Sequence, residues 1–276
     1  MSMREVCGVP EGLPLVICDG VPLAVSREGV GPAIVCLHAV GHGGGDYDAF
    51  TAALKDRFEI IRIDWPDHGR SGSDKVLPSA TRYAELLTLL LDQLQVNNPV
   101  LIGNSIGGAA AILYASRKPV RALVLCDSAG LVPINAMVRA ASSLFSRFFA
   151  AGERGAGWFH SAYNFYYRRI VLPAPAAARQ RQRIVAAGHE CAPVLRLAWQ
   201  SFARPDADLR GLAATLDVPI WCVWGRGDRV IPLWMCRPAI ARMRQACLST
   251  FSGGHSAFLE QPDWFAGKFL GFVDAL

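Results

Sequence analysis

One stretch of this chain combines a serine with the backbone that a nucleophile needs. Residues 103–107 read Gly-Asn-Ser-Ile-Gly, after a short apolar run and before a segment of small residues. A strand that turns sharply into a helix leaves no room for a Cβ beside the turn, so the two glycines fit such a turn around Ser105. The turn lifts the hydroxyl clear of the sheet, where the helix N-terminus stabilises an anion. The strand-turn-helix context predicts a nucleophile, whereas the pentapeptide alone also fits a glycine-rich turn without chemistry.

A serine hydroxyl is a weak nucleophile until a base accepts its proton, and the base needs a carboxylate that orients it. Among six histidines, His255 is the best candidate for the base because it follows a short strand in a Gly-Gly-His turn. Two carboxylates, Asp127 and Asp228, end strands after the serine. We expect Asp228 to be the acid, since its glycine-bounded turn gives the order Ser, Asp, His along the chain. Asp127 is interpreted as a turn residue that closes a strand.

Alternating strands and helices must position these groups. Two extended segments within residues 13–27, separated by Asp19-Gly20, predict an antiparallel hairpin. Further apolar runs predict buried strands at 33–38, 59–65, 121–127, 219–225 and 247–251, besides the one that begins at Val100. Spacing of apolar residues and breakers predicts helices at 48–55, 80–95, 234–244 and 263–273. This alternation predicts an α/β fold with a mainly parallel, doubly wound sheet, whose ligands bind beyond the carboxyl ends of the strands.

The alternation is interrupted between residues 133 and 208. This stretch has no clear strand, is dense in aromatic residues, and contains ten arginines against four acidic residues. We interpret residues 133–208 as a helical lid inserted into a core formed by residues 1–132 and 209–276. The remaining histidines are interpreted as residues of loops or of the lid: His38, His42, His68, His160 and His189.

Composition narrows the function classes. The chain has 276 residues, 52% of them hydrophobic, which suffices for one large core. The net charge of +5 comes without a basic run carrying interleaved aromatics, so we expect no nucleic-acid partner. No stretch has the length of a membrane span, and the start MSMREVCGVP lacks the apolar core of a secretory signal. The eight cysteines form no C-x-x-C pair. We therefore expect a cytoplasmic protein with free thiols and no membrane partner, and the sequence leaves its oligomeric state open.

Together the motifs resemble those of the α/β-hydrolase family over nearly the whole chain. The motifs that carry the resemblance are LHAVGHG, DWPDHGRSG, GNSIGG, WGRGDRVIP and GGHSAFLEQPDWF. The resemblance implies Ser105 as nucleophile, Asp228 as acid and His255 as base, without a metal or cofactor. It also implies that an oxyanion hole is formed by the main-chain N–H groups of Val40 and Ile106. Ala39 stands where the family commonly has glycine, which leaves the exact donor on that loop open.

Within the family, the serine excludes the branches that use an aspartate nucleophile. The elbow and the WGRGDRVIP turn are similar to carboxylesterases and to the meta-cleavage-product hydrolases, which cut carbon–carbon bonds. Those C–C hydrolases usually carry tryptophan after the catalytic histidine, and here that position is Ser256. We therefore expect hydrolysis of an ester, lactone or thioester of an apolar or aromatic small molecule, with C–C cleavage as the second hypothesis. A third hypothesis is a receptor that uses the fold only for binding.

The lid composition favours an apolar or aromatic substrate group and suggests a negative charge on it.

Overall fold

An eight-stranded sheet is the centre of the fold in the computed structural model, which describes residues 14–276. The strands are β1 (Leu15–Cys18), β2 (Val21–Glu28), β3 (Ala33–Leu37), β4 (Glu59–Ile63), β5 (Val100–Asn104), β6 (Ala122–Cys126), β7 (Ile220–Gly225) and β8 (Ala246–Phe251). Their order across the sheet is β1-β2-β4-β3-β5-β6-β7-β8. Strand β2 pairs antiparallel with β1 and β4, and all other neighbours pair parallel. The predicted mainly parallel α/β sheet is confirmed.

The predicted hairpin turn joins β1 to β2. Asp19 and Gly20 have φ angles of 48° and 77°, the positive values that a two-residue hairpin turn of type I′ requires. Cys18 then pairs with Val21 across the turn. The start of the chain, for which we expect no secretory signal, lies outside the described residues.

Helices cover both faces of the sheet. They are α1 (Asp48–Leu54), α2 (Ala80–Gln93), α3 (Ile106–Ala115), α4 (Ala136–Glu153), α5 (Phe159–Tyr166), α6 (Ala178–Ala186), α7 (Gly188–Ser201), α8 (Arg210–Thr215), α9 (Leu233–Ile240), α10 (Ala257–Glu260) and α11 (Pro262–Val273). Helix α2 begins at a Ser79 cap whose hydroxyl accepts a hydrogen bond from the Arg82 N–H at 3.1 Å. Apolar residues of α1 and α11 pack with Ile34 on one face, whereas those of α2 and α3 pack with Val35 on the other. Successive strand residues therefore pack alternately into two hydrophobic cores, one on each face of the sheet.

Between β6 and β7 the chain contains helices α4 to α8, with a single π-helical turn, Tyr167–Val171, after α5. No strand occurs between Cys126 and Ile220 in this described part of the chain. Helices α4 and α7 pack along each other, and the rings of Phe145 and Trp199 stack at 4.3 Å between centroids. These helices bury their aromatic residues largely against each other.

The described cysteines are free thiols, and six of the seven are buried. Burial raises the pKa of the Cys36 and Cys222 thiols, so both stay protonated within the core. In residues 14–276, no helix is both long enough and apolar enough to cross a membrane.

Candidate active site

Ser105 lies at a strained turn between β5 and α3. Its φ and ψ are 53° and −119°, and its main-chain N–H donates to the Cys126 carbonyl at 3.1 Å. A Cβ at Gly103 would lie 2.5 Å from the carbonyl carbon of Gly107, and one at Gly107 would lie 2.3 Å from the Leu37 carbonyl oxygen. Both positions therefore require glycine for steric reasons, as the sequence pattern predicts.

His255 and Asp228 form a buried hydrogen-bonded pair beside this turn. The distance from His255 Nδ1 to Asp228 Oδ2 is 2.9 Å. The other carboxylate oxygen, Oδ1, accepts the main-chain N–H groups of Val230 at 2.7 Å and Ile231 at 3.1 Å. The His255 main-chain N–H donates to the Val171 carbonyl at 2.8 Å, so the inserted helices help to fix the histidine. This arrangement directs Nε2 away from the carboxylate and leaves it available as a base.

Asn104 ties the histidine turn to the serine turn, a role that sequence reasoning missed. Its Nδ2 donates to the carbonyls of His255 at 2.8 Å and Cys126 at 3.0 Å. Its Oδ1 accepts the hydroxyl of Ser256 at 2.9 Å. The serine that replaces the tryptophan of C–C hydrolases is thus buried in a polar network. The only sequence signal for this network was an asparagine directly before Ser105.

The loop after β3 lines the same cavity as Ser105. Val40 is on the cavity wall, and its main-chain N–H has no hydrogen-bond partner among residues 14–276. Ile106 begins α3, where a helix leaves N–H groups unpaired. His38 accepts the Trp65 N–H through Nε2 at 3.0 Å, and burial lowers the pKa of its ring. His38 is therefore a neutral residue that shapes the loop.

A cavity of about 340 Å³ has Ser105 and His255 on its wall. Its lining is mostly apolar. Six aromatic residues of the segment 133–208 contribute to it: Phe145, Phe149, Tyr166, Tyr167, Trp199 and Phe202. Among the described residues that line it, Arg229 is the sole arginine, and none of the ten arginines of residues 133–208 does so. The cavity therefore suits apolar or aromatic groups, while the arginine-rich composition of the insertion belongs to other surfaces.

A model of the alpha/beta hydrolase family matches residues 34–268. The chain belongs to the alpha/beta hydrolase family. An uncharacterized protein of Mycobacterium tuberculosis is 28% identical over 99% of this hydrolase and 84% of its own length. Pimeloyl-[acyl-carrier protein] methyl ester esterase of Xanthomonas campestris is 29% identical, covering 90% of the hydrolase and 97% of that esterase. The solved structure of an esterase from Exiguobacterium antarcticum superposes with a TM-score of 0.81 at 17% identity, over 95% and 99% of the two chains.

The hydrolase also contains a second buried histidine–carboxylate pair, which sequence reasoning missed. His42 Nδ1 lies 2.6 Å from Asp46 Oδ2, and its Nε2 lies 3.1 Å from the Tyr167 hydroxyl. The other oxygen of Asp46 accepts a hydrogen bond from Gln180 at 2.7 Å. Tyr167 and Gln180 belong to the inserted segment, so this network attaches that segment to the loop beside Val40.

One further carboxyl group of the hydrolase, that of Asp127, lies close to the His255–Asp228 pair. One polar atom of each of these three residues lies within 4.8 Å of the others, a grouping that a metal ion could also use. The hydrogen bonds favour another interpretation. Both Asp228 oxygens already accept N–H donors, and Asp127 Oδ1 accepts the Gly225 N–H at 2.8 Å. A metal would have to displace these bonds.

Proposed function

We propose that this hydrolase cleaves carboxylic esters of small apolar or aromatic molecules through an acyl intermediate on Ser105. The observation that carries the proposal is the buried His255–Asp228 hydrogen bond, which shares a cavity wall with the serine of a strained turn. We further propose that residues 133–208 act as the lid over this cavity and select the substrate, because six of their aromatic residues line it.

In the proposed mechanism, His255 Nε2 accepts the Ser105 hydroxyl proton while Oγ attacks the ester carbonyl carbon. Asp228 stabilises the imidazolium that forms, through the hydrogen bond at Nδ1. The N–H groups of Val40 and Ile106 are the proposed donors to the oxyanion. His255 then returns the proton to the leaving alkoxide, and water hydrolyses the acyl-Ser105 ester by the same steps.

Several observations favour ester hydrolysis over the other hypotheses. The Xanthomonas relative is named for a methyl ester, which supports a C–O bond as the target. Ser256 is fully buried and engaged with Asn104, so it provides no aromatic surface next to the base. C–C hydrolysis stays the alternative reaction for the same triad. A pure binding protein would need the same cavity but no turnover.

The proposal predicts a preference among esters that differ only in the acyl group. Compared with the acetate, hexanoyl and phenylacetyl esters should have kcat/KM values about tenfold or more higher, because burying the added apolar surface in the cavity stabilises the transition state. The same panel should include a carboxylate-bearing acyl ester and a vinylogous diketone. The carboxylate should give no advantage at low salt, since no insertion arginine lines the cavity.

Each alternative outcome has a separate meaning. Fastest turnover of the acetate would contradict the apolar-cavity proposal. Faster cleavage of the diketone than of every ester would support C–C hydrolysis instead. Labelling of Ser105 by a fluorophosphonate without turnover of any substrate would favour a binding protein.

A further inference from the structure

Two carboxyl side chains, those of Asp127 and Asp228, lie close to the ring of His255. Asp127 follows β6 and Asp228 follows β7, and these strands are parallel neighbours, so both residues reach the same edge of the sheet. Both are buried, and Asp127 has no exposed surface. Two ionised carboxylates this close together repel each other strongly in a buried site. The two carboxyl groups are therefore not both ionised, and one of them carries a proton.

The hydrogen bonds distinguish the two carboxyl groups. Asp228 accepts three N–H donors, from Val230, Ile231 and the His255 ring, so both of its oxygens are hydrogen-bonded. Asp127 accepts one donor, the Gly225 N–H, on Oδ1. Its Oδ2 is buried and has no hydrogen-bond partner at normal distance within residues 14–276. An oxygen in that position is satisfied best by carrying a proton itself.

The electrostatic environment of Asp127 also favours its protonated form. Burial and the neighbouring charge of Asp228 raise the pKa of Asp127 well above its usual range, and the Gly225 N–H opposes this shift. Among the described residues, the other titratable groups around the two carboxyl groups are a carboxyl, a phenol and thiols, none of them a cation: Glu260, Tyr166, Cys126, Cys222 and Cys236. Glu260 raises the pKa of Asp127 further, while burial raises the pKa of the three thiols.

We propose that Asp127 is a positioning residue that stays protonated at neutral pH and directs its Oδ2 proton toward Asp228, so that His255 faces a single negative charge. This inference rests on the proposed role of His255 as base. A second negative charge near the imidazole would stabilise its protonated form, and a protonated ring cannot accept the Ser105 proton. The proton on Asp127 thus keeps His255 neutral before the reaction and orients Asp228 toward Nδ1.

The first test is the pH dependence of kcat/KM in Asp127→Asn. The amide keeps an acceptor for the Gly225 N–H and a donor for Asp228, and it carries no charge. We expect kcat within about threefold of wild type and an acidic limb that does not move. If Asp127 were ionised, the substitution would remove a negative charge near the ring, and the limb would move down by more than about one pH unit. Such a shift would overturn the proposal.

Two further variants separate positioning from simple structural support. Asp127→Ala removes the donor to Asp228 and should lower kcat by about tenfold or more with little change in KM, a loss that asparagine at this position restores. Equal losses in the alanine and asparagine variants would contradict the donor role. Asp228→Asn should be far more damaging than Asp127→Asn, because it removes the charge that stabilises the imidazolium.

Infrared spectroscopy tests the proton without any turnover. The wild-type protein at pH 8 should show the carbonyl stretch of a protonated carboxyl group, and Asp127→Asn should lack it. Asp64→Asn is a matched control, because burial raises the pKa of Asp64 only to about 6, so this carboxyl is ionised at pH 8 and its loss leaves the band unchanged. Absence of the band in wild type would overturn the proposal. If no substrate is turned over, the proposed function fails while this measurement still locates the proton.

Discussion

At the scale of single residues, neutral imidazoles hold the loop that carries Val40. His68 Nε2 accepts the Gly41 N–H at 2.7 Å, and its Nδ1 lies 2.8 Å from the Pro66 carbonyl. Burial lowers the pKa of His68 to about 4. A ring nitrogen that accepts a main-chain N–H cannot also carry a proton, so protonation of His68 would break the bond to Gly41.

The stability of the protein should therefore depend on pH through His68. The pKa of this ring is about 4 when folded, against 6.5 for an unperturbed histidine, so the unfolded chain binds more protons between these values. The contribution of neutral His68 is complete above pH 6.5 and is lost as pH falls toward 4. His68→Gln does not titrate here. We expect its difference in unfolding free energy from wild type to change by about 2 kcal/mol between pH 7 and pH 5, in favour of the variant at pH 5.

Urea unfolding of both proteins at the two pH values measures this change. A difference that is the same at both pH values would show that His68 does not titrate as described.

Local sequence patterns point to candidate residues more readily than to contacts between segments that are distant along the chain. Ser105 could be located because its glycine neighbours are required by local sterics, and His255 and Asp228 because each ends a strand in a turn. Asp127 was interpreted as a turn residue, since the meeting of two aspartates depends on β6 and β7 being neighbours. Asn104 was missed for the same reason, because its partners are more than 20 positions away along the chain.

At the scale of elements, apolar runs located the strands, but side-chain hydrogen bonds decided where some end. The run at 59–65 predicted a strand through Trp65, whereas β4 ends at Ile63. The Asp64 main-chain N–H still donates to the Ala24 carbonyl of β2 at 3.0 Å, while its carboxylate accepts the Gly44 N–H at 2.8 Å. The Trp65 N–H donates to the His38 ring at 3.0 Å instead of to a strand. Such long-range side-chain partners are not visible in an apolar pattern.

The attachment of the inserted helices to the loop after β3 can be tested with Tyr167→Phe. The substitution keeps the ring and removes the hydroxyl that lies 3.1 Å from His42 Nε2. The substitution leaves the buried His42 Nε2 without a hydrogen-bond partner. We therefore expect the unfolding free energy to fall by about 1 to 2 kcal/mol. The KM should rise several-fold because Tyr167 lines the cavity. Urea unfolding and steady-state kinetics measure the two effects.

Tyr83→Phe is a matched control for this experiment. The Tyr83 hydroxyl is buried without a hydrogen-bond partner in the described structure, and its ring stacks on Trp65 at 4.4 Å between centroids. Removing that hydroxyl should leave both stability and KM unchanged or slightly improve stability. Equal effects of the two substitutions would contradict a specific role for the Tyr167–His42 bond.

At the scale of the whole molecule, the segment between β6 and β7 is hydrogen-bonded to the turn that contains His255. The Val171 carbonyl accepts the His255 N–H at 2.8 Å, and the Glu260 carboxylate accepts N–H groups from Ala174 at 3.1 Å and Gly254 at 2.7 Å. The aromatic composition of residues 133–208 was readable from the sequence. The bonds of Val171 and Ala174 were not, because they join residues more than 80 positions apart that meet only after the sheet has formed.

The central claim is that Ser105 becomes acylated during turnover, and intact-mass spectrometry with a slowly hydrolysed phenylacetyl ester tests it most directly. We expect a transient mass increase of one acyl group, located on Ser105 by peptide mapping, and no adduct in Ser105→Ala. That variant should also lose about 10⁴-fold or more in kcat, because its hydroxyl alone forms the covalent bond. Near-normal turnover by Ser105→Ala, or an adduct on another residue during wild-type turnover, would contradict the account.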